Sequence, residues 1–259
     1  MKINYFEPKN AAERYAAGRP DFHSNPIGRV KKFLNLETKL DNALDVACGT
    51  GLSTKALREI SNNIFGTDIS FEMLKRAAQD DKINYLIARA EQPPFAADRF
   101  DLITVCSGVH WFEIDEFLRE ASRILKKNAW LIIYDNYFIS EMSEVEKFGD
   151  WFPKVYLPKY PSPPRDNRFE WTNQNLHPKN LSLIKSDEFK NRVSFTKRKL
   201  TYYFTTQSNI TAAAENGKTD YQQVENWLDR ELSEFFPTAE TERIVNFGNR
   251  IKFIRKLKI

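Results

Sequence analysis

The sequence predicts an α/β fold: a doubly wound, mostly parallel sheet with helices on both faces. Three observations predict it. Short apolar runs alternate with helical patterns through the middle of the chain, the runs read as buried strands, and a glycine-bearing turn joins the first run to the helix that follows it. The composition agrees, since 259 residues with 41% hydrophobic and 29% charged describe a globular chain and exclude disorder, a collagen repeat or a coiled coil. The 39 Lys and Arg against 35 Asp and Glu leave a net charge of +4, and the charges are interspersed, which argues against a nucleic-acid partner. No apolar run approaches the roughly 20 residues of a membrane-spanning helix, and Met1 to Arg14 is too polar for a signal peptide. A cytoplasmic enzyme with no membrane partner is the expectation. The 2 cysteines, Cys48 and Cys106, supply neither a disulfide framework nor a zinc ribbon.

The elements follow in order. Ala11 to Ala17 reads as a helix stopped by Gly18, Arg19 and Pro20, and a second helix has Asn25 as N-cap and buries Ile27, Val30, Phe33 and Leu34. Strands are predicted at Ala43–Ala47, Asn63–Thr67, Tyr85–Ala88, Asp101–Cys106 and Ala129–Asp135. Helices between them carry Leu52, Ala56, Leu57 and Ile60, then Phe71, Leu74, Ala77 and Ala78, and finally Phe117, Leu118, Ala121, Ile124 and Leu125, this last closed by Lys126, Lys127 and Asn128. Arg89 to Arg99, with two prolines, is too short for a helical crossover and reads as an irregular loop. Val193–Phe204 and Arg250–Ile259 are strand-like, which brings the sheet to seven strands, and Asp220 caps a helix carrying Val224, Trp227, Leu228, Leu232 and Phe235. One domain is expected, with a helical lid at 1–36, a ligand-binding core at 37–136, an aromatic cap at 137–190 and the rest of the sheet at 191–259.

Asp45 to Gly51 (D-V-A-C-G-T-G) lies where a buried strand meets a helix, the place at which open α/β sheets bind ligands. Gly49 and Gly51 let backbone N–H groups approach a ligand there. Asp68 stands 19 residues beyond Gly49 at the end of the next strand, placed to accept both hydroxyls of a ribose. Thr54 occupies the position where a dinucleotide fingerprint needs its third glycine, and no G-K-[ST] follows the loop. A nucleoside without phosphates remains. His110, Glu113 and Asp115 have no metal-ligand spacing, and H-E-x-x-H, C-x-x-C and G-x-S-x-G are all absent from the sequence, so no metal is expected.

These residues resemble the class I S-adenosylmethionine (SAM) dependent methyltransferases, which have a Rossmann-like sheet. Asp45 to Gly51 looks like their first motif, with Ala47 in place of its first glycine, and Asp68 stands at their ribose position. Tyr15 to Pro20 (Y-A-A-G-R-P) and His110, Trp111, Phe112 resemble the branch that includes trans-aconitate methyltransferase-like enzymes. The resemblance implies SAM as cofactor, S-adenosylhomocysteine (SAH) as product and a small-molecule acceptor, with a carboxylate as one candidate. It implies cofactor contacts from Tyr15, Arg19, Asp45, Ala47, Gly49, Gly51, Asp68, Ile69, Ala90, Glu91 and Cys106, with Arg19 facing the cofactor's carboxylate. Arg89 departs from the pattern, standing where an Asp often binds adenine, which leaves the backbone of Ala90 or the carboxylate of Glu91 for that contact.

On the acceptor side, His110 follows the fourth strand, and its imidazole either takes a proton or caps the next helix. Trp111, Trp151, Arg165 and Arg168 are candidate acceptor contacts, while the cap aromatics read equally as local core. Two rivals stand beside the small-molecule enzyme: an RNA or protein methyltransferase, and a catalytically silent SAM-binding protein.

Overall fold

The computed structural model describes residues 9–77, 80–163 and 168–258. In chain order the elements are α1 (Lys9–Gly18), α2 (Ser24–Phe33), β1 (Leu40–Val46), α3 (Leu52–Ala56), β2 (Ser61–Asp68), α4 (Phe71–Leu74), β3 (Ile83–Ile87), β4 (Phe100–Cys106), α5 (Ile114–Ile124), β5 (Leu125–Met142), α6 (Lys147–Trp151), α7 (Leu157–Lys159), α8 (Asn173–Leu176), β6 (Leu181–Thr196), α9 (Lys197–Thr205), α10 (Ser208–Glu215), α11 (Tyr221–Leu232) and β7 (Glu242–Lys256). The sheet has seven strands in the order β3-β2-β1-β4-β5-β7-β6. Pairs β1·β2, β1·β4, β2·β3 and β4·β5 are parallel. This is the doubly wound arrangement, with the chain reversing direction of travel across the sheet between β1 and β4.

The chain divides into two compact units. One comprises Met1–Pro20, Tyr137–Pro164 and Lys190–Gly248, and the other Asp21–Asn136, Arg165–Phe189 and Asn249–Ile259. In the second unit successive strand residues belong to different cores, as the alternation of a pleated strand requires. Leu44, Ile103, Val105, Leu131 and Ile133 join Phe117, Leu118, Ala121 and Ile124 of α5. Ala43, Leu102, Ile132 and Tyr134 join Ile27 and Val30 of α2. Helix α2 is therefore part of a core, where the sequence suggested a lid. It also starts earlier than predicted, with His23 as N-cap in place of Asn25.

The first unit explains the surplus of aromatic residues. Phe138, Phe148, Trp151, Phe152, Tyr156 and Phe204 interlock with ring centroids 4.6–6.2 Å apart, mostly edge-on or tilted, and Phe148, Tyr156 and Phe204 are wholly buried. These rings are the unit's own core. Trp151, expected to touch an acceptor, is 6% exposed and donates its indole N–H to Glu231 Oε2 at 3.1 Å. Further differences from the sequence reading share one cause, that charged residues occupy strand and helix positions alike. Lys126–Asn128 do not close α5, because β5 begins at Leu125 and runs on through Met142. Of the predicted strand 193–204 only the start is extended; Thr196 then accepts a hydrogen bond from Lys199 N at 3.3 Å and caps α9. Asp220 caps α11 as predicted, accepting from Gln223 N at 2.8 Å, and 89–99 contains neither helix nor strand.

Candidate functional site

The strongest concentration of predicted site residues lies at the carboxyl ends of β1, β2 and β4 in the second unit. The turn after β1 is built from left-handed residues: Ala47 (φ +56°), Gly49 (φ +55°) and Gly51 (φ +78°). Glycine is required at Gly51 for a second reason, since a Cβ there would lie 2.8 Å from Tyr85 Cζ. Tyr85, on β3, crosses β2 at Gly66, where a Cβ would also lie 2.8 Å from the ring. The two glycines make room for one aromatic ring that supports the turn from below.

Asp45 is fully buried, and among the described residues no ion pair joins its carboxylate. Three hydroxyls serve it instead: Ser53 and Thr54 donate to Oδ2 at 2.5 and 2.8 Å, and Thr104 of β4 donates to Oδ1 at 2.8 Å. Burial pushes its carboxyl up to about 6, against the pull of those three hydrogen bonds. The side chain thus ties the turn to β4 from inside the protein and does not present itself to a ligand.

Asp68 does a different job. Its Oδ2 accepts from Gly49 N at 2.8 Å and its Oδ1 from Ser70 N at 2.8 Å, so one carboxylate spans the turns after β1 and β2. Around it lies an apolar surface: Ile69 follows it, Ile87 is its partner on β3, and Phe71 opens α4, and these are 53%, 58% and 53% exposed. An exposed apolar patch beside an acceptor carboxylate fits a nucleoside, whose flat base covers the patch while its ribose hydroxyls donate to the acid.

Glu91 is occupied elsewhere. Its Oε1 accepts from Glu113 N, the N-cap of α5, at 2.8 Å, and Arg89 lies 3.5 Å from Oε2, so this carboxylate anchors a helix; the neighbouring Ala90 is half-buried against the core. Cys106 ends β4 with a thiol pushed up to about 12 by burial, its Sγ 3.8 Å from Ser107 Oγ. It is a neutral thiol at physiological pH.

His110 lies in the single turn Val109–Trp111, with its ring 4.7 Å from that of Trp111. The turn begins at Gly108, where a Cβ would lie 2.9 Å from the Cβ of Ala47, so the backbone bearing His110 is pressed against the glycine turn. The N-cap residue of α5 is Glu113, not His110, and the Glu113 N–H is bonded by Glu91. Tyr15 and Arg19 belong to the first unit. There the Arg19 guanidinium lies 4.8 and 5.0 Å from the ring centres of Tyr15 and Tyr203, and Nη2 donates to Thr206 O at 3.2 Å. Arg168 is exposed, and Arg165 lies outside the described residues.

One pair escaped the sequence reading. His23 Nδ1 lies 2.9 Å from Tyr134 Oη, both are buried, and Tyr134 is the partner of Cys106 at the end of β4. Nothing local in the sequence signals that contact, which joins residues 111 positions apart.

Comparison with known proteins points the same way. The family model described as "Methyltransferase domain" matches residues 44–133. A Dictyostelium discoideum protein classed by name with the methyltransferases is 27% identical over 156 residues, 55% of this chain and 59% of that protein. A Saccharomyces cerevisiae protein named for S-adenosylmethionine-dependent methyl transfer, CRG1, is 24% identical over 173 residues, 61% of this chain and 58% of its own. The chain thus spans less than two thirds of either relative. Among solved structures, a methyltransferase-fold protein from Anaeromyxobacter dehalogenans superposes with a TM-score of 0.68 over all of both chains at 18% identity. The [4+2]-cyclase SpnF superposes at 0.58 with 17% identity, over 97% of this chain and 93% of that one, so the fold by itself does not fix the reaction. Residues 44–133 thus match the methyltransferase-domain model, and the seven-stranded sheet around them has the fold of these solved structures.

Proposed function

We propose that the protein is a SAM-dependent methyltransferase acting on a small-molecule acceptor, an anionic one by the reading of its sequence. The observation that carries the proposal is Asp68, an acid at the end of β2 that bonds the turns after β1 and β2 and lies beside the exposed patch of Ile69, Phe71 and Ile87. In this reading Asp68 takes the ribose hydroxyls, the patch takes the adenine, and the left-handed turn Ala47–Gly51 brings its backbone to the rest of the cofactor. Bound SAM supplies a methyl group already activated on a sulfonium. The chain's own residues therefore have to orient the acceptor and keep water out. His110 and Trp111, held against the glycine turn through Gly108, are assigned to the acceptor side. There the imidazole orients the acceptor, and it takes a proton only where the acceptor carries one at neutral pH.

Calorimetric titration with SAH tests the cofactor assignment. Asp68→Ala is expected to weaken SAH at least about tenfold, the loss of a charge-assisted hydrogen bond of about 1.5–3 kcal/mol. His110→Gln is expected to lower turnover severalfold with SAH affinity unchanged. Equal SAH affinity in wild type and a folded Asp68→Ala would remove the ribose assignment, and unchanged turnover in His110→Gln would remove the acceptor-side one.

A further inference from the structure

One register row crosses four strands of the second unit beneath the glycine turn. Tyr85 of β3 pairs with Gly66 of β2, Gly66 with Asp45 of β1, and Asp45 with Thr104 of β4. Asp45 and Thr104 are bonded to each other, and Ser53 and Thr54 tie Asp45 to the start of α3. The other half of the row acts by contact. With no side chain on Gly66, the Tyr85 ring lies over β2 and reaches Gly51. Its Cε1 lies 2.8 Å from where a Cβ of residue 66 would stand and 3.1 Å from that of residue 51, and its hydroxyl is nearer still to the latter. Burial raises the phenol well above its usual range, so this end of the ring is neutral.

A glycine inside a strand weakens it, and the φ of Gly66 lies outside the left-handed region, so the backbone there does not call for one. The seat of the ring does. Tyr85 is half-buried at the margin of the core that α2 covers, and its hydroxyl end lies at the turn. The turn is thereby held at two points, since Gly49 N is bonded to Asp68 Oδ2 at 2.8 Å while Gly51 rests on Tyr85. A methyl group on residue 66 would meet Cδ1 and Cε1 of the ring at 2.8 Å and Cys48 Sγ at 3.0 Å. Non-bonded carbons keep about 3.5 Å or more, so the ring would leave its place against Gly51, and Cys48, itself part of the turn, would give way with it.

We propose that Tyr85 and Gly66 are positioning residues for cofactor binding: the ring, seated on Gly66, holds the Ala47–Gly51 turn where SAM and SAH need it beside Asp68. Neither residue has to touch the cofactor. The proposal rests on the SAM reading above.

Calorimetric titration of the full chain with SAH, well below the melting temperature measured for each variant, provides the test. Y85L and G66A are each expected to weaken SAH at least about fivefold, the lower end of what mispacking costs when it is converted to affinity. Y85F keeps the ring and is expected to fall between wild type and Y85L. Because G66A acts through the ring, adding it to Y85L is expected to cost about twofold or less, the non-additivity of residues in contact. A purely structural pair would lower the melting temperature and leave SAH affinity where it was. The proposal is overturned by wild-type affinity in folded G66A or Y85L, or by a G66A loss as large in Y85L as in the wild type. Failure of both Y85L and the milder Y85M to fold overturns it as well, since the ring would then be core. A wild type that does not bind SAH removes the cofactor reading and this proposal with it, whereas binding that D68A weakens and G66A and Y85L do not removes this proposal alone.

Discussion

Asp45 and Asp68 are 23 positions apart in the same fold, yet burial gives them different work. Asp68 is half-buried and bonds backbone N–H groups of the turns after β1 and β2, while Asp45 is enclosed with three hydroxyls. A carboxyl raised from 3.8 to about 6 binds its proton more tightly in the folded chain than in the unfolded one. Its stabilising share is therefore complete below about pH 4 and is lost as pH rises toward 6, a change on the order of 3 kcal/mol. Urea unfolding at pH 4 to 7 should show wild type minus Asp45→Asn falling across that window and flat above it; a constant difference would mean that Asp45 titrates normally. Backbone strain at the neighbouring turn is equally specific. Gly51→Ala meets both a left-handed φ and the Tyr85 ring, and is expected to cost about 1–3 kcal/mol. Ala47→Gly, which relieves a left-handed alanine, should stabilise by about 0.5–1 kcal/mol in the same assay.

Among the elements, α5 best shows how side chains far apart in sequence fix a boundary. Its N-cap has no side-chain hydrogen bond of its own, and the acceptor comes from Glu91, 22 residues earlier. That bond joins the irregular connection after β3 to the helix that follows His110 and Trp111. Removing the acceptor in Glu91→Ala is expected to cost about 1–2 kcal/mol by urea unfolding, the scale of a lost N-cap. Glu91→Gln, which keeps a carbonyl oxygen, should recover part of it. A loss equal in both variants would point to the Arg89 ion pair instead, since only that contact requires the charge. Element positions were legible where one strong signal stood alone, such as Asp220 before α11 or the apolar run of β4. They were not legible where two patterns overlapped: Val193–Phe204 alternates like a strand at its start, while Leu200, Tyr203 and Phe204 have helical spacing.

For the whole molecule, charge is the property that separates the enzyme readings. The net charge of +4 is small, and many basic side chains are paired, including Lys126 with Asp101, Lys179 with Asp115 and Lys256 with Asp98 at 2.7–2.8 Å. Such pairs leave little positive potential for a phosphate backbone. Filter binding with a structured RNA is expected to show no retention at about 0.15 M salt, where nonspecific electrostatic binding is weak. Tight retention that falls steeply with added salt would favour an RNA substrate instead.

The sequence by itself determined the parallel core of the sheet, the glycine turn and the place of Asp68 at the end of β2, because each rests on a local rule: apolar runs for buried strands, left-handed turns for glycine, and a fixed spacing between adjacent strand ends. Tertiary structure decided what each polar side chain is for. That Glu91 caps a helix, that Asp45 is enclosed by hydroxyls, that Trp151 belongs to an aromatic core and that His23 meets Tyr134 all depend on partners brought together across the chain. A carboxylate or an indole reads the same in sequence whether it faces a ligand or a neighbour, since only burial and the donors around it distinguish the two.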